Sequence, residues 1–379
     1  MKRVSRMLPG LAAVALASGL SLPALAQSTV KVGVVQATSG GSAAIYGIVQ
    51  KNAAELAVAE INNSGALGGT KLEIIYQDDA GDRGQTVNIF QRFINQDRVS
   101  IIFGPTLSNS TFAAAPLAQK AKIPVIASSN TATGIPGIGT FIFRTSPSES
   151  STFPGVLDHV IKKHNVKTAA QIYGIDDVSM KANYEVHKKA LEARGIKILT
   201  TETLQKGDVD YSAQLTKIKA ATPDALVISA LAEEVANIVR QARQLGLPKT
   251  MVLVASNSAI NPKLSELAGP AAEGLYAGAG WFLGFEGKRN TDFVAAYSKK
   301  FGSPPDSYAA YAYTAVFAFA DALKRAGGAG NADKLRDALA ATKDVDSPLG
   351  KFSFDAGREP VISPQVLIVK DGKFVLAGQ

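Results

Sequence analysis

The sequence predicts an α/β protein of two similar lobes, each a parallel sheet covered by helices. Three observations predict it. Short β-branched runs alternate with helical stretches between residues 30 and 256, the pattern of parallel strands joined by covering helices. The rhythm restarts after residue 150, which implies a second lobe like the first. The chain also has 379 residues, more than one ordinary core accommodates.

Residues 1–26 precede the first element and read as a secretory signal peptide. Lys2, Arg3 and Arg6 form a basic head, Leu8 to Leu20 a short apolar stretch, and Ala24-Leu25-Ala26 supplies small residues for cleavage. A membrane anchor is the other reading, but the apolar stretch is shorter than a span needs. The mature chain is expected to start near Gln27. There is no cysteine, so export brings no disulfides and no thiol exists at the cleavage site to take a lipid. The expected location is the periplasm, without a lipid anchor. Removing the basic head lowers the formal charge from +8 to +5. The remaining basic residues are scattered, as in Lys188-Lys189 and Lys299-Lys300, which describes a solvated surface rather than a nucleic-acid footprint.

The first lobe opens with the strand VKVGVV (30–35) and a helix over 44–62 that carries Ile48, Leu56 and Ile61. KLEIIYQDD (71–79) alternates into a strand, and 84–96 reads as a helix with Val87, Ile89, Phe90 and Ile94. SIIFG (100–104) is a strand followed by a helix from about Ser110. IPVIAS (123–128) and TFIFRT (140–145) are further strands. In the second lobe, helices over 152–164 and 178–194 flank the strand TAAQIYG (168–174). IKILTTETL (196–204), DALVISA (224–230) and TMVLVAS (250–256) are strands. Val235, Ile238, Val239, Ala242 and Leu245 fall on one helical face between the last two. The alternation then breaks: 290–301, 308–326 and 331–341 read as successive helices. KFSFD (351–355), PQVLIVKDG (364–372) and KFVLAG (373–378) are extended, the last two forming a hairpin at Asp371-Gly372. These terminal pieces complete the two lobes, so the chain crosses between lobes more than once.

Enzyme signatures are absent. There is no GxxxxGK[ST], HExxH, GxSxG or cysteine pair. His159, His164 and His187 lie on predicted helices beside polar residues and read as solvated. Asp78, Asp79 and Asp82 could hold a cation, but their spacing is not that of a calcium loop and structural use is the simpler reading. The glycines of GIPGIGTF (134–141) read as a turn.

Two polar loops stand out. GPTLSNST follows a strand and places Thr106, Ser108, Ser110 and Thr111 at the mouth of a helix. ASSNTATG (127–134) follows the next strand with Ser128, Ser129, Asn130, Thr131 and Thr133. In open α/β sheets ligands bind beyond the carboxyl ends of the strands, and a helix start offers free amides and a positive dipole end. Such a site suits an anion such as a carboxylate. One of the hydroxyls also suits the ordinary N-cap role.

At this point the sequence resembles the leucine/isoleucine/valine-type periplasmic binding proteins, the type I substrate-binding components of ABC importers. The matching stretches are VKVGVVQATSGGSAAIYG, AVAEINNSGALGG, LEIIYQDDAGD, IIFGPTLS, IPVIASSNT, DVDYSAQL, IVRQARQLGL and LAGPAAEGLY. The resemblance implies two Rossmann-like lobes with a ligand cleft and three crossover strands, placed near Arg144–Ser146, Gly274–Trp281 and Phe354–Gly357. Lobe 1 would comprise 27–144 plus 280–354, and lobe 2 would comprise 145–279 plus 355–379. It further implies delivery of a small molecule to an ABC permease in the inner membrane; with the enzyme signatures absent, a non-enzymatic role without cofactor or metal is expected, and a monomer is the default expectation. A ligand-sensing receptor is the rival role.

By the same resemblance, Thr106, Leu107 and Ser108, with Ser129, Asn130 and Thr131, hold the ligand carboxylate, and Tyr46 borders the ligand. Amino-acid-binding members use tyrosines and a glutamate on the second lobe to hold the α-ammonium. Val178 and Leu231 stand where the tyrosines would be, and Asn257 where the glutamate would be. An ammonium in a desolvated cleft needs acceptors, so an aromatic or 2-oxo acid is the expected ligand. Trp281 and Phe282 could supply an aromatic wall or belong to the core. A one-residue slip in the match would bring in Asp176, Glu233 or Glu234 and restore a branched-chain amino acid. Glu233 and Glu234 equally suit a helix start.

Overall fold

The computed structural model describes Met1 and residues 28–378; the expected signal peptide and the cleavage near Gln27 lie outside the described residues. The first lobe is built on five parallel strands in the order β2-β1-β3-β4-β5. They are β1 (Thr29–Gln36), β2 (Lys71–Asp78), β3 (Ile101–Phe103), β4 (Val125–Ala127) and β5 (Ile142–Arg144). Between them run α1 (Ala44–Ser64), α2 (Arg83–Arg92) and α3 (Ser108–Ala121). Alternate strand residues face opposite sides. Val32, Val34, Ile101 and Phe103 join the α1 side, whereas Val35, Ile102 and Val125 join the α2 and α3 side. The single helix expected over 84–96 is interrupted. After Arg92 the backbone widens into a π turn, Phe93–Asp97, which seats the Phe93 ring against Gly33.

The second lobe starts with α4 (Glu149–His164) and continues β6 (Thr168–Gly174), α5 (Val178–Ala193), β7 (Lys197–Leu204), α6 (Ser212–Ala221), β8 (Ala225–Ser229), α7 (Ala232–Gln244), β9 (Val252–Ala255), α8 (Pro262–Ala268) and β10 (Leu275–Ala279). The crossover strand expected near Gly274–Trp281 corresponds to β10, a buried strand paired parallel to β9, after which the chain leaves this lobe. The short helices α6 and α8 were not anticipated.

The chain then returns to the first lobe with α9 (Lys288–Phe301), α10 (Ser307–Ala326), α11 (Ala332–Ala340), β11 (Val345–Ser347) and β12 (Gly350–Phe354), and continues through β13 (Pro360–Val361). Fifteen of the twenty residues of α10 are buried, as expected of a helix apolar on every face, and α10 packs along α1. Finally β14 (Gln365–Lys370) and β15 (Lys373–Leu376) add an antiparallel hairpin to the second sheet, in the order β15-β14-β10-β9-β8-β6-β7. The turn falls at Asp371-Gly372, as the sequence indicated. Eleven α-helices cover the sheets among the described residues, and none of them is long and apolar enough to cross a membrane.

Three passages therefore join the lobes: β5 to α4, β10 to α9, and β12 to β14. Arg144 binds the first to the last. Its guanidinium is buried and pairs with both carboxylate oxygens of Glu359. It also donates to Asn130 O at 3.1 Å and Ala132 O at 2.6 Å. One side chain thus fixes both a crossover and one of the polar loops.

Candidate functional site

The polar loops converge because two strands end together. At Gly104 the backbone turns with φ 111°, and a Cβ there would lie 2.0 Å from Val35 O, so only glycine lets β3 leave the sheet so close to β1. Gly47 does the same for α1, where a Cβ would meet Ala37 O at 1.9 Å. Thr106 is then locked to the end of β1: Oγ1 donates to Gln36 Oε1 at 2.7 Å and accepts Ala37 N at 3.0 Å.

The hydroxyls after β3 divide their work. Ser110 Oγ lies 2.9 Å from Thr86 Oγ1, and Thr111 Oγ1 donates to Asn130 Oδ1 at 2.6 Å. The expectation that one hydroxyl caps α3 is not met. Leu107 holds the N-cap position and no side chain caps the helix. The amides of Ser108, Asn109 and Ser110 at its start therefore have no intrahelical acceptor. Ser108 Oγ is buried and has no hydrogen-bond partner.

Asn130 staples the two loops together. Its Nδ2 donates to Pro105 O at 3.2 Å and Thr106 O at 3.0 Å, and Ser129 Oγ donates to Thr106 O at 2.7 Å. Ser129 and Thr131 line the cavity between the lobes and Asn130 does not, because both ends of its amide are spent within the loops.

The cavity is about 20 Å3 and is also lined by Tyr46, Thr106, Leu107, Ser108 and Leu231. That is room for a water rather than a solute molecule, so a solute enters only when the lobes separate. Direct bonds cross the gap. Tyr46 OH donates to Ser258 O at 2.9 Å and accepts from Ala232 N at 2.9 Å, supplying the start of α7 with an acceptor. Asn109 Oδ1 accepts from Val178 N at 2.9 Å. Tyr46 and Tyr308 meet edge to face at 5.0 Å, and burial raises the pKa of both, so each is a neutral phenol.

Besides Asn130, two residues expected in the site do not line this cavity. The Val178 side chain is 46% exposed and stands outside the cavity. Asn257 lines a second, adjacent space that also includes Thr131 and Tyr308. Five lining residues escaped the sequence reading: Asp177, Ser179, Met180, Ser258 and Tyr308. Asp177 and Ser258 were findable, since each follows the carboxyl end of a parallel strand. Tyr308 was not, because no strand leads into α10.

The acids of the second-lobe wall are engaged with backbone. Asp176 accepts from Lys206 N, and Glu234 from Leu231 N at 3.0 Å, the helix-start role its position suggested. Asp177 Oδ1 caps α5 through Ser179 N at 2.7 Å and Met180 N at 3.1 Å; burial raises its pKa while those amides pull it down. Glu149 accepts from Asn257 N at 2.9 Å and lies 2.7 Å from His187 Nε2. His187 is therefore no solvated residue, as the sequence suggested, but fully buried against Phe153. Ser229 Oγ sits 3.0 Å from its Nδ1. Serine, histidine and glutamate in a row suggest nucleophilic catalysis, but all three are at most 2% exposed and no substrate reaches them.

Other candidates have structural roles. Asp78 accepts from Thr38 N and Ala80 N, Asp79 from Gly81 N and Thr86 Oγ1, and Asp82 caps α2 through Gln85 N. Trp281 is core, with Nε1 donating to Asn290 Oδ1 at 2.8 Å. Neither it nor Phe282 lines the cleft.

Two lobes of largely parallel sheet, joined three times and meeting over a cavity at their strand ends, define a hinged binding protein for small molecules. The comparisons agree with that class. The chain belongs to the periplasmic binding protein family, whose model matches residues 29–370. It is 29% identical over 357 residues to the leucine-, isoleucine-, valine-, threonine- and alanine-binding protein of Pseudomonas aeruginosa, covering 94% of this chain and 93% of that one. The branched-chain amino acid transporter substrate binding protein of Streptococcus pneumoniae, in complex with isoleucine, superimposes with a TM-score of 0.84 at 28% identity, over 92% of this chain and 98% of that one. An ABC transporter solute binding protein of Rhodopseudomonas palustris BisB5, in complex with 3,4-dihydroxy benzoic acid, gives 0.82 at 28% identity, over 91% and 95%. The chain is thus a substrate-binding component of the branched-chain amino acid type of ABC transporter, a periplasmic family of solute-binding proteins rather than enzymes.

Proposed function

We propose that this protein captures a small carboxylate, an aromatic or 2-oxo acid, in the interlobe cleft of the periplasm and delivers it as a monomer to an ABC permease in the inner membrane. The two moving bodies are residues 27–144 with 280–354 and residues 145–279 with 355–379, residues 1–26 having directed export. Strand membership supports that division, since β1–β5 form one sheet and β6–β10 with β14 and β15 the other. The observation that carries the ligand reading is Ser108 Oγ, buried and unpaired at an uncapped helix start that lines the cavity. A carboxylate there receives the hydroxyl, the free amides and the dipole end together. Tyr46, Met180, Leu231 and Tyr308 would enclose an apolar body.

Calorimetric titration with benzoate, 2-oxoisocaproate and leucine tests the reading. The acids without an amine are expected to bind, and Ser108→Ala to weaken them ~10-fold or more, the worth of a hydrogen bond to a charged group. Leucine binding alone would overturn it. One observation favours that second reading: Asp177 lines the cavity and has a carboxylate oxygen not used in capping α5, so it could meet an α-ammonium. Asp177→Asn would then abolish leucine binding.

A further inference from the structure

Next to the cleft cavity, and sharing Thr131 and Tyr308 with it, lies a second space of about 10 Å3 walled by Ser146, Asn257, Ser307 and Tyr311 among others. No cationic side chain lines it. Two of its hydroxyls donate elsewhere, Ser146 Oγ to Asn130 O at 3.0 Å and Tyr308 OH to Asn257 O at 3.3 Å, and Tyr311 OH accepts from Gly280 N at 3.0 Å. Asn257 is held rigidly by its own bonds as well. Its N donates to Glu149 Oε2 at 2.9 Å and its Nδ2 to Pro147 O at 3.3 Å, and Glu149 is itself fixed by His187. The remaining atom of that side chain, Oδ1, is buried without a partner, on a residue only 6% exposed. A preorganised acceptor in a desolvated space costs free energy until a donor reaches it.

We propose that the solute is a carboxylic acid carrying a neutral hydrogen-bond donor, a hydroxyl, at the end remote from its carboxylate, and that Asn257 Oδ1 is the specificity-determining acceptor for it. The inference rests on the carboxylate reading of the cleft: Ser108 meets the anion, and Asn257, beyond Thr131 and Tyr308, meets the donor. The space matches one hydroxyl or one water. A hydroxyl displaces such a water and keeps its hydrogen bond, whereas a methyl group displaces it and leaves Oδ1 bare. A second carboxylate there would be buried without a counter-charge, so a dicarboxylic acid is rejected.

The test is calorimetric titration of the purified protein and of Asn257→Leu with benzoate, 4-methylbenzoate, 4-hydroxybenzoate and terephthalate. The wild type should bind 4-hydroxybenzoate at least ~10-fold tighter than 4-methylbenzoate and terephthalate weakest. Asn257→Leu should erase the hydroxyl preference, so that 4-hydroxybenzoate binds no tighter than 4-methylbenzoate, and a cooperative thermal melt shows that the variant is folded. Equal binding of the hydroxyl and methyl acids by the wild type, or a preference that survives in Asn257→Leu, overturns the inference. Should the leucine variant not fold, the wild-type ratio decides. Benzoate bound without hydroxyl preference removes this inference alone; every benzoate refused, with leucine bound in the titration described above, removes the reading of an amine-free acid with it.

Discussion

Ser108, Ser110 and Thr111 look interchangeable in sequence and are not. Ser110 and Thr111 close bonds to Thr86 and Asn130, whereas Ser108 Oγ closes none. Ser108→Ala should therefore leave the denaturant midpoint without ligand unchanged or slightly raised, because deleting an unpaired buried hydroxyl removes a cost. A lowered midpoint would show that Ser108 is structural. Asp306 makes a second prediction at this scale. It caps α10 through Ala309 N and accepts Asn261 Nδ2 at 3.0 Å from the other lobe, and burial pushes its pKa from 3.8 up to about 7 against the pull of those amides. The folded chain then binds more protons than the unfolded chain between these values. Its contribution to stability is full below about pH 4 and lost as the pH rises through about 7. Asp306→Asn should make the melting temperature fall less between pH 5 and pH 8 than in the wild type; parallel profiles would contradict this.

The elements that build the site do so through their ends. β3 stops at a glycine that no other residue can replace, and α3 starts at a leucine that cannot cap it. Gly104→Ala combines a left-handed φ with a Cβ 2.0 Å from Val35 O, so it should destabilise by about 3 kcal/mol or more. Equilibrium unfolding in urea measures this, and a cost within ordinary surface scatter would mean that the loop can shift without penalty. The same reasoning explains the interrupted helix after Arg92. The π turn places Phe93 over Gly33, and only the packed sheet reveals that demand.

Across the whole molecule, the lobes are held together by a few side chains whose bonds must break before a solute can enter. Tyr46 carries two of them, to Ser258 O and from Ala232 N. Tyr46→Phe should speed hydrogen exchange at the Ala232 amide up to ~10-fold, since one net hydrogen bond is worth about 1 kcal/mol. Unaltered exchange there would mean that the lobes are held elsewhere. The alternation of strands and helices, the second start after residue 150, the terminal hairpin and both first-lobe polar loops were legible in the sequence by itself. Each depends on the periodicity or punctuation of a single contiguous segment, and local backbone physics acts at that range. Only the tertiary structure decided that residues 275–279 pair with β9 in the second sheet, that His187 is buried against Glu149, that α3 starts uncapped at Leu107, and that Asp177, Ser258 and Tyr308 face the cleft while Asn130 and Val178 do not. Those outcomes depend on which distant segment occupies the neighbouring space. Desolvation and hydrogen-bond pairing between residues tens to hundreds of positions apart settle that, and leave no period in the sequence.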